Sequence, residues 1–325
     1  MIVSKTPLRV SFFGGGTDFP EYFNKKKSRV IGTAIDKYIY LFQNHFYSKF
    51  FDHNLRLFYR ENEFIKDVNK IKHDVFRNIL KKEKIYKDIE IHASSEMPSF
   101  VGLGTSSAFT VGLLNLVNFF KYKKQLFKND LSSKSIYFER NILKENVGYQ
   151  DQILAAHGGL NSIEFFENNF KIQPLNPYFS IKEFNNNLIL VYTGIQRRAS
   201  KVEQKKIKNI KKNLSYLDNI NDISNEAYKY LKKSKHTDFF GKLLHETWLQ
   251  KKKLHKSVSN IEINEIYNKA IDAGASGGKL LGAGAGGFIL FYVEKHAREK
   301  FFKVFSKNKY IKFSFEKKGS HIIKI

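Results

Sequence analysis

The stretch Pro98-Ser99-Phe100-Val101-Gly102-Leu103-Gly104-Thr105-Ser106-Ser107-Ala108 decides how the rest of this chain reads. Before it, Asp88 to Ala93 alternates isoleucine with polar residues, the pattern of a strand running into a loop. After it, Ser106 to Phe120 is apolar on all sides, which predicts a buried helix. Two glycines let backbone approach a ligand closely, and the small hydroxyl residues after them open the helix. A helix start presents unpaired N–H groups and the positive end of the helix dipole, a combination that suits phosphate. The same residues also make an ordinary capping turn, because Thr and Ser are good N-caps. On this segment alone both readings stand.

Working outward, Ile2 to Phe13 reads as a strand broken by Gly14-Gly15-Gly16, and Ile31 to Phe46 as a second β run rich in Ile, Tyr and Phe. Leu131 to Leu143 continues helically, Asn161 to Phe166 and Leu188 to Thr193 return to strand, and Ala199 to about Ala273 is mainly helical and lysine-rich. A glycine-rich loop follows, then the strand Phe288 to Val293, the helix Lys295 to Phe305 and short terminal strands. Strands and helices mix without strict alternation, so the fold class is α+β rather than a doubly wound sheet. Gln173-Pro174, Asn176-Pro177 and Asn185-Asn186-Asn187 cluster where a lobe boundary would fall, dividing the chain into lobes at 1–180 and 181–325.

Composition narrows the function. The 325 residues include 31 Phe and 17 Tyr, so the core is expected to be built on large rings. There is no cysteine, which excludes disulfides, thiolate zinc sites and cysteine nucleophiles. The N-terminal residues do not read as a signal peptide, and no apolar run reaches the length of about 18 residues that a spanning helix needs. A cytoplasmic protein without a membrane partner is expected. The formal charge of +25 favours one rival reading, nucleic-acid binding, since each neutralised phosphate rewards association. The charge is mostly lysine spread along the chain, however. Its densest patch, Lys201 to Lys212, reads as the solvated face of a helix with Val202, Ile207 and Ile210 opposite. Such a field would also attract ATP and a phosphorylated substrate.

One motif match is misleading and one common nucleotide-binding pattern is missing. Gly282, Gly284 and Gly287 formally satisfy the dinucleotide fingerprint, but that fingerprint needs a helix after it, and Phe288 to Val293 reads as strand. The ordinary P-loop pattern is absent because Lys279 is followed by Leu280.

The central stretch resembles the second motif of the galactokinase, homoserine kinase, mevalonate kinase and phosphomevalonate kinase superfamily. Thr6-Pro-Leu-Arg-Val-Ser-Phe-Phe-Gly-Gly-Gly-Thr-Asp18 looks like its first motif, and Lys279-Leu-Leu-Gly-Ala-Gly-Ala-Gly-Gly-Phe288 like its third. Order and spacing agree over nearly the whole chain. The resemblance implies a ribosomal-S5-like N-terminal lobe, a ferredoxin-like C-terminal lobe, and ATP and Mg²⁺ as cofactors. It implies that Val101, Gly102, Leu103, Gly104, Thr105, Ser106, Ser107 and Ala108 hold the nucleotide, with Ser106 and Glu139 as metal ligands. Both are hard oxygen donors of the kind Mg²⁺ takes. Asp151, in a Gly-x-x-Asp-Gln element, would accept the proton of the attacking hydroxyl, and Arg9 nearby would stabilise negative charge as transfer proceeds. Without the resemblance, Glu139 reads as a surface glutamate, Asp151 as a helix N-cap and Arg9 as a strand-end charge.

Gly15, Gly16, Thr17, Asp18 and, in the third motif, Gly286 fall where the family binds its acceptor. Galactokinases carry Gly-Glu-His-Thr-Asp where this chain has Gly14-Gly15-Gly16-Thr17-Asp18, a departure that leaves room for a different or bulkier sugar. The triple-glycine form looks like that of bacterial D-glycero-D-manno-heptose 7-phosphate kinases and of fucokinases. Ala155-Ala-His157-Gly-Gly159-Leu-Asn161 and Tyr192-Thr-Gly194-Ile-Gln-Arg197 resemble that subgroup too. Arg197, Arg198 and Lys201 either clamp a substrate phosphate, for which guanidinium is suited, or simply begin a basic helix. The resemblance thus implies a kinase acting on the anomeric hydroxyl of a sugar phosphate, for activated heptose in surface polysaccharide, with a homodimer left open and a fucokinase-like activity as the alternative.

Overall fold

The computed structural model describes residues 1–196 and 210–325. Its first element, β1 (Ile2–Phe13), is buried over nearly its whole length, as a run of Val, Leu and Phe between sheet neighbours must be. It pairs antiparallel with the long strand β2 (Ser28–His45), to which β5 (Ile89–Ser95) and β6 (Leu160–Phe166) add at different ends. The hairpin β3 (Leu55–Phe58) and β4 (Asn62–Ile65) extends the sheet beyond β5, and β7 (Asn169–Pro174) extends it beyond β6. A second, antiparallel sheet runs β11-β8-β10-β9, from β8 (Leu188–Tyr192), β9 (Gly277–Leu280), β10 (Phe288–Tyr292) and β11 (Tyr310–Ile311). The last strand, β12 (His321–Lys324), returns to the first sheet and pairs with β1.

In chain order the helices are α1 (Pro20–Phe23), α2 (Asp74–Lys82), α3 (Thr105–Tyr122), α4 (Lys128–Tyr137), α5 (Gln150–His157) and α6 (Ile181–Asn186). They continue with α7 (Leu214–Lys233), α8 (Phe239–Lys253), α9 (Ile261–Asp272) and α10 (Arg298–Val304). Helix α3 is the central one. Apolar all round, it lies on β1 and β2 with α4 and α5 beside it. Helix α8 packs on β9 and reaches β1, so it bridges the two sheets.

The class is α+β, as the unalternated order of elements predicts. The aromatic core is found as well. Phe12 and Phe13 of β1, Phe184 of α6 and Tyr292 of β10 surround Phe240 of α8, with ring centroids 5.5, 5.1, 4.7 and 5.4 Å from it. These rings join the two sheets into one packed interior.

Several elements differ from expectation. The β3–β4 hairpin, β7 and α6 are too short or too polar to show a clear period, whereas α2 buries Val75, Phe76, Ile79 and Leu80 on one face, a helical period outside the elements expected above. Lys279, expected to open a loop, lies in β9, whose glycines obscure it as a strand. A strand therefore both precedes and follows the third glycine-rich segment, and the strand after it, where the dinucleotide fingerprint needs a helix, agrees with rejecting that reading. Helix α4 stops at Tyr137, and Phe138–Ile142 widens into a π-turn, the kind of local irregularity often found at functional sites. The basic segment Lys201–Lys212 lies outside the described residues through 209. Among the described residues no helix is long and apolar enough to cross a membrane.

Removing the central ring should be costly. Phe240→Ala is expected to lower stability by about 3–5 kcal/mol in urea denaturation, because four neighbouring rings cannot all collapse into the void.

Candidate active site

Arg9 sits two-thirds of the way along β1, and its side chain is almost wholly buried. Its Nε and Nη2 donate to the two carboxylate oxygens of Asp151 at 2.7 and 2.5 Å, the forked geometry that guanidinium and carboxylate share. Its Nη1 donates to the carbonyl of Gly102 at 2.6 Å, while its backbone N–H donates to the carbonyl of Leu103 at 3.1 Å. One residue thus ties together the strand, the glycine-rich loop and the start of α5.

The loop it holds leads directly into α3, with Gly104 at the N-cap in a left-handed conformation. Thr105, Ser106 and Ser107 form the first helical turn and line the cleft beside Gly102 and Gly104. Val101, Leu103 and Ala108, expected with them, point into the core. Phe100, at the cleft's edge, is held at φ 65°, a conformation an aromatic residue adopts only under constraint.

The third glycine-rich segment closes over this loop. A Cβ on Gly282 would lie 2.7 Å from the Cα of Gly102, so the two loops meet at a distance only glycine allows. The Phe288 N–H donates to the Val101 carbonyl, and Gly287 accepts from both the backbone N–H and the hydroxyl of Thr193. Lys251, at the end of α8, donates its ammonium to the carbonyls of Leu280 and Gly282 at 2.7 and 2.6 Å. Lys279 donates to the carbonyl of Phe12 at 2.8 Å. Both lysines are buried, and both line the cleft.

Gly15, Gly16 and Asp18 form the opposite wall, and Gly286 also lines the cleft. Asp18 is fully enclosed. Its Oδ1 accepts from the Gly16 N–H and its Oδ2 from the Gln150 N–H at 3.2 Å, so a carboxylate from another loop caps α5. A Cβ on Gly148 would lie 2.0 Å from that Oδ2, which accounts for glycine there. Thr17 is buried away from the cleft, its hydroxyl donating to the Gly14 carbonyl.

Neighbouring residues on α5 face opposite ways, as the helical period of 3.6 requires. Asp151 faces the cleft, whereas Gln152 points inward and donates to Oε2 of Glu139. Glu139 is not the surface residue that composition alone suggests. It is completely buried in the π-turn, and its Oε1 has no hydrogen-bond partner. Burial, reinforced by the nearby Glu145 carboxylate, pushes its pKa up to about 8, against the pull of hydrogen bonds from Gln152, Ser107 and Thr110. The hydroxyl found at Oε2 is that of Ser107, at 2.9 Å; Ser106, expected beside Glu139, is exposed on the cleft side of the same turn. An orphaned buried carboxylate oxygen, with the Ser107 hydroxyl on its partner oxygen, is of the hard-donor kind that a divalent cation such as Mg²⁺ takes. Arg197, Arg198 and Lys201 lie outside the described residues.

Sequence reasoning missed Lys251. It belongs to Lys251-Lys252-Lys253, which looks like any solvated helix end, and only the packing of α8 on β9 turns its first member inward.

The fold and this cleft, where two glycine-rich loops and a helix start meet an arginine–aspartate pair, define a small-molecule kinase without a P-loop. The model for the N-terminal domain of GHMP kinases matches residues 69–159. A D-glycero-α-D-manno-heptose 7-phosphate kinase of Campylobacter jejuni is 32% identical, over 98% of this chain and 97% of its own. A crystal structure of a D-glycero-D-manno-heptose 1-phosphate kinase from Bacteroides thetaiotaomicron superposes with a TM-score of 0.80, covering 100% of this chain and 99% of that one at 23% identity. The galactokinase of Lactococcus lactis, crystallised with galactose, shares the fold with a TM-score of 0.73 at 17% identity, over 100% and 95% of the two chains. The chain belongs to the GHMP kinase family and is an ATP-dependent kinase.

The sign of the Glu139 effect is testable without substrate. Between its usual value of 4.5 and about 8 the folded state keeps a proton that the unfolded state has lost, so this group's contribution to stability falls as pH rises through that window. In metal-free buffer, Glu139→Gln should flatten the decline of melting temperature between pH 5 and pH 8, relative to the parent; an unchanged slope would mean Glu139 titrates normally.

Proposed function

We propose that this chain is a sugar kinase that transfers the γ-phosphoryl group of ATP to the anomeric hydroxyl of D-glycero-D-manno-heptose 7-phosphate, giving the 1,7-bisphosphate and ADP. The observation that carries the reading is the Asp151 carboxylate, locked by Arg9 within the cleft that the α3 N-terminus enters. The likeness to the C. jejuni heptose 7-phosphate kinase along the full length supports the choice of acceptor. The surface-polysaccharide pathway and a cytoplasmic setting follow from the same reading.

In this mechanism the free amides at the start of α3 bind the nucleotide phosphates. Asp18 and the glycines beside it receive the sugar. The acceptor oxygen attacks the γ-phosphorus, the bond from that phosphorus to the bridging oxygen of ADP breaks, and the acceptor proton passes to Asp151. An ionised carboxylate has about four acceptor positions, so two bonds to Arg9 leave room for the substrate hydroxyl. Arg9, fixed also by the carbonyls of Gly102 and Leu103, contributes positive charge where the transferring phosphoryl group spreads negative charge, without reorganising as the reaction proceeds. Glu139, with Ser106 or Ser107, would hold Mg²⁺, which supplies charge neutralisation at the phosphate oxygens when bound. Lys251 keeps the third loop's carbonyls turned away from the phosphates by occupying them. Residues 1–180 and 181–325 act as two lobes on either side of the cleft, the first sheet lying mainly in one and the second sheet in the other.

Substrate choice is tested by ATP consumption over a panel of heptose 7-phosphate, heptose, fucose, galactose and mevalonate, with phosphorus NMR of each product. Heptose 7-phosphate should give the highest kcat/KM and an anomeric phosphate signal; preference for an unphosphorylated acceptor would overturn the assignment. Asp151→Asn should keep nucleotide affinity within a few-fold yet lose at least about a hundredfold in kcat. Near-parental turnover in that variant would remove the proton-accepting role.

A further inference from the structure

The three glycines that follow β1 are not equivalent. Gly14 has φ 78°, and a Cβ there would overlap the carbonyl oxygen of Arg29. Gly16 has φ 103°, a conformation that side chains avoid. Gly15 is under neither constraint. Its φ is negative, and beyond its chain neighbours only two described atoms come within 4 Å of a Cβ built on it. They are Ser11 Oγ and Gln150 Nε2, each at 3.6 Å, an ordinary van der Waals contact. No described residue forbids a side chain at position 15, yet the space is left bare, and Gly15 lines the cleft.

Gln150 bounds that space. It is the first residue of α5, and its backbone N–H is committed to Asp18 Oδ2. Its side-chain amide is committed to nothing among the described residues. The Oε1 is buried without a partner, whereas Nε2, the end nearer the bare Gly15, is not among the buried atoms. Two residues on, the amide of Gln152 turns into the interior and serves Glu139. Gln150 and Asp151 line the cleft, so the helix start sends one free amide and one carboxylate to the same side.

The acids of this wall supply acceptors. Asp18 takes N–H bonds from Gly16 and Gln150, and Asp151 takes two from Arg9. A sugar hydroxyl that donates to a carboxylate keeps its lone pairs, and satisfying those requires a donor. The two N–H groups on Gln150 Nε2 are such donors, uncharged and unspent. A hydroxyl can reach them because Gly15 has no side chain in the way.

We propose that Gln150 determines specificity in the acceptor site: its Nε2 donates to an acceptor hydroxyl other than the one phosphorylated, and Gly15 stays bare to admit that hydroxyl. The inference rests on the reading of this cleft as the site of a polyhydroxylated acceptor, and it names the group that reads one of the hydroxyls. It holds for any such sugar. An acceptor lacking that hydroxyl leaves the amide unpaired in the closed complex, which is how a site built around a hydrogen bond rejects an analogue.

The test crosses protein variants with acceptor analogues. Of heptose 7-phosphate, heptose, fucose, galactose and mevalonate, the acceptor with the highest kcat/KM is compared with its monodeoxy analogues, on the parent, Gln150→Ala and Gln150→Met. The parent should disfavour one analogue about tenfold in kcat/KM, the effect of one hydrogen bond left unmade. Both variants should lose about tenfold on the full acceptor, chiefly in KM, and use that analogue equally well, with the KM for ATP within about twofold of the parent. Both keep the backbone N–H on Asp18, and Met also keeps the length of the side chain, so a packing defect would show as a loss in Ala alone. Gly15→Ala should melt with the parent and raise the acceptor KM severalfold. Equal losses on every analogue, or a fall in kcat alone, would mean that Gln150 acts only by placing Asp151 and would overturn the inference, as would discrimination unchanged in both variants. If another sugar outruns heptose 7-phosphate while the variants behave as expected, the acceptor assignment falls and the Gln150 role stands; if none is phosphorylated, both fall.

Discussion

The Arg9 guanidinium is the constraint from which the rest of the cleft follows. Its five donors lie in a rigid plane, and the structure spends them on Asp151 and on the Gly102 carbonyl. A charge buried this deeply is tolerable only when its partners are complete, because removing one leaves the other stranded in a medium that solvates it poorly. The same need that makes the pair demanding also makes it specific. Three bonds from one guanidinium hold loop, strand and helix together, and that arrangement brings the start of α3 and the Asp151 carboxylate into one cleft.

Around this centre the glycines serve contact rather than mobility. Gly102 and Gly282 let two loops touch backbone to backbone, and the bond from Phe288 to Val101 fastens them. The aromatic cluster around Phe240 sets the two sheets at a fixed separation, so the loops they carry meet in register. Lys251 and Lys279, turned inward, donate to backbone carbonyls and bring positive potential to the cleft. Two of the lysines that make this chain look like a nucleic-acid binder, Lys251 and Lys279, are therefore internal.

Glu139 shows how an ordinary residue acquires chemistry from position. In sequence it stands between Phe138 and Arg140 with nothing to distinguish it from a surface acid. The π-turn that breaks α4 rotates it into the interior, where Gln152 and Ser107 occupy one oxygen and leave the other bare. Its raised pKa and the empty oxygen have the same cause, a carboxylate removed from water without a full set of donors.

Much of this was legible before any fold was known. The long strands, the apolar helix α3 and the α+β class follow from local periodicity, since the burial that creates those patterns acts on neighbouring residues. The three glycine-rich segments likewise announce close backbone approach, because glycine is the residue that permits it. Ser107 rather than Ser106 at Glu139, the inward turn of Lys251, the capping of α5 by Asp18 and the strand character of Gly277–Leu280 were decided only by tertiary structure. Each depends on groups distant in sequence: 32 residues separate Ser107 from Glu139, and 132 separate Asp18 from Gln150. Periodicity carries no information about which remote partner will remove a side chain from water, and that removal is what gives these residues their roles.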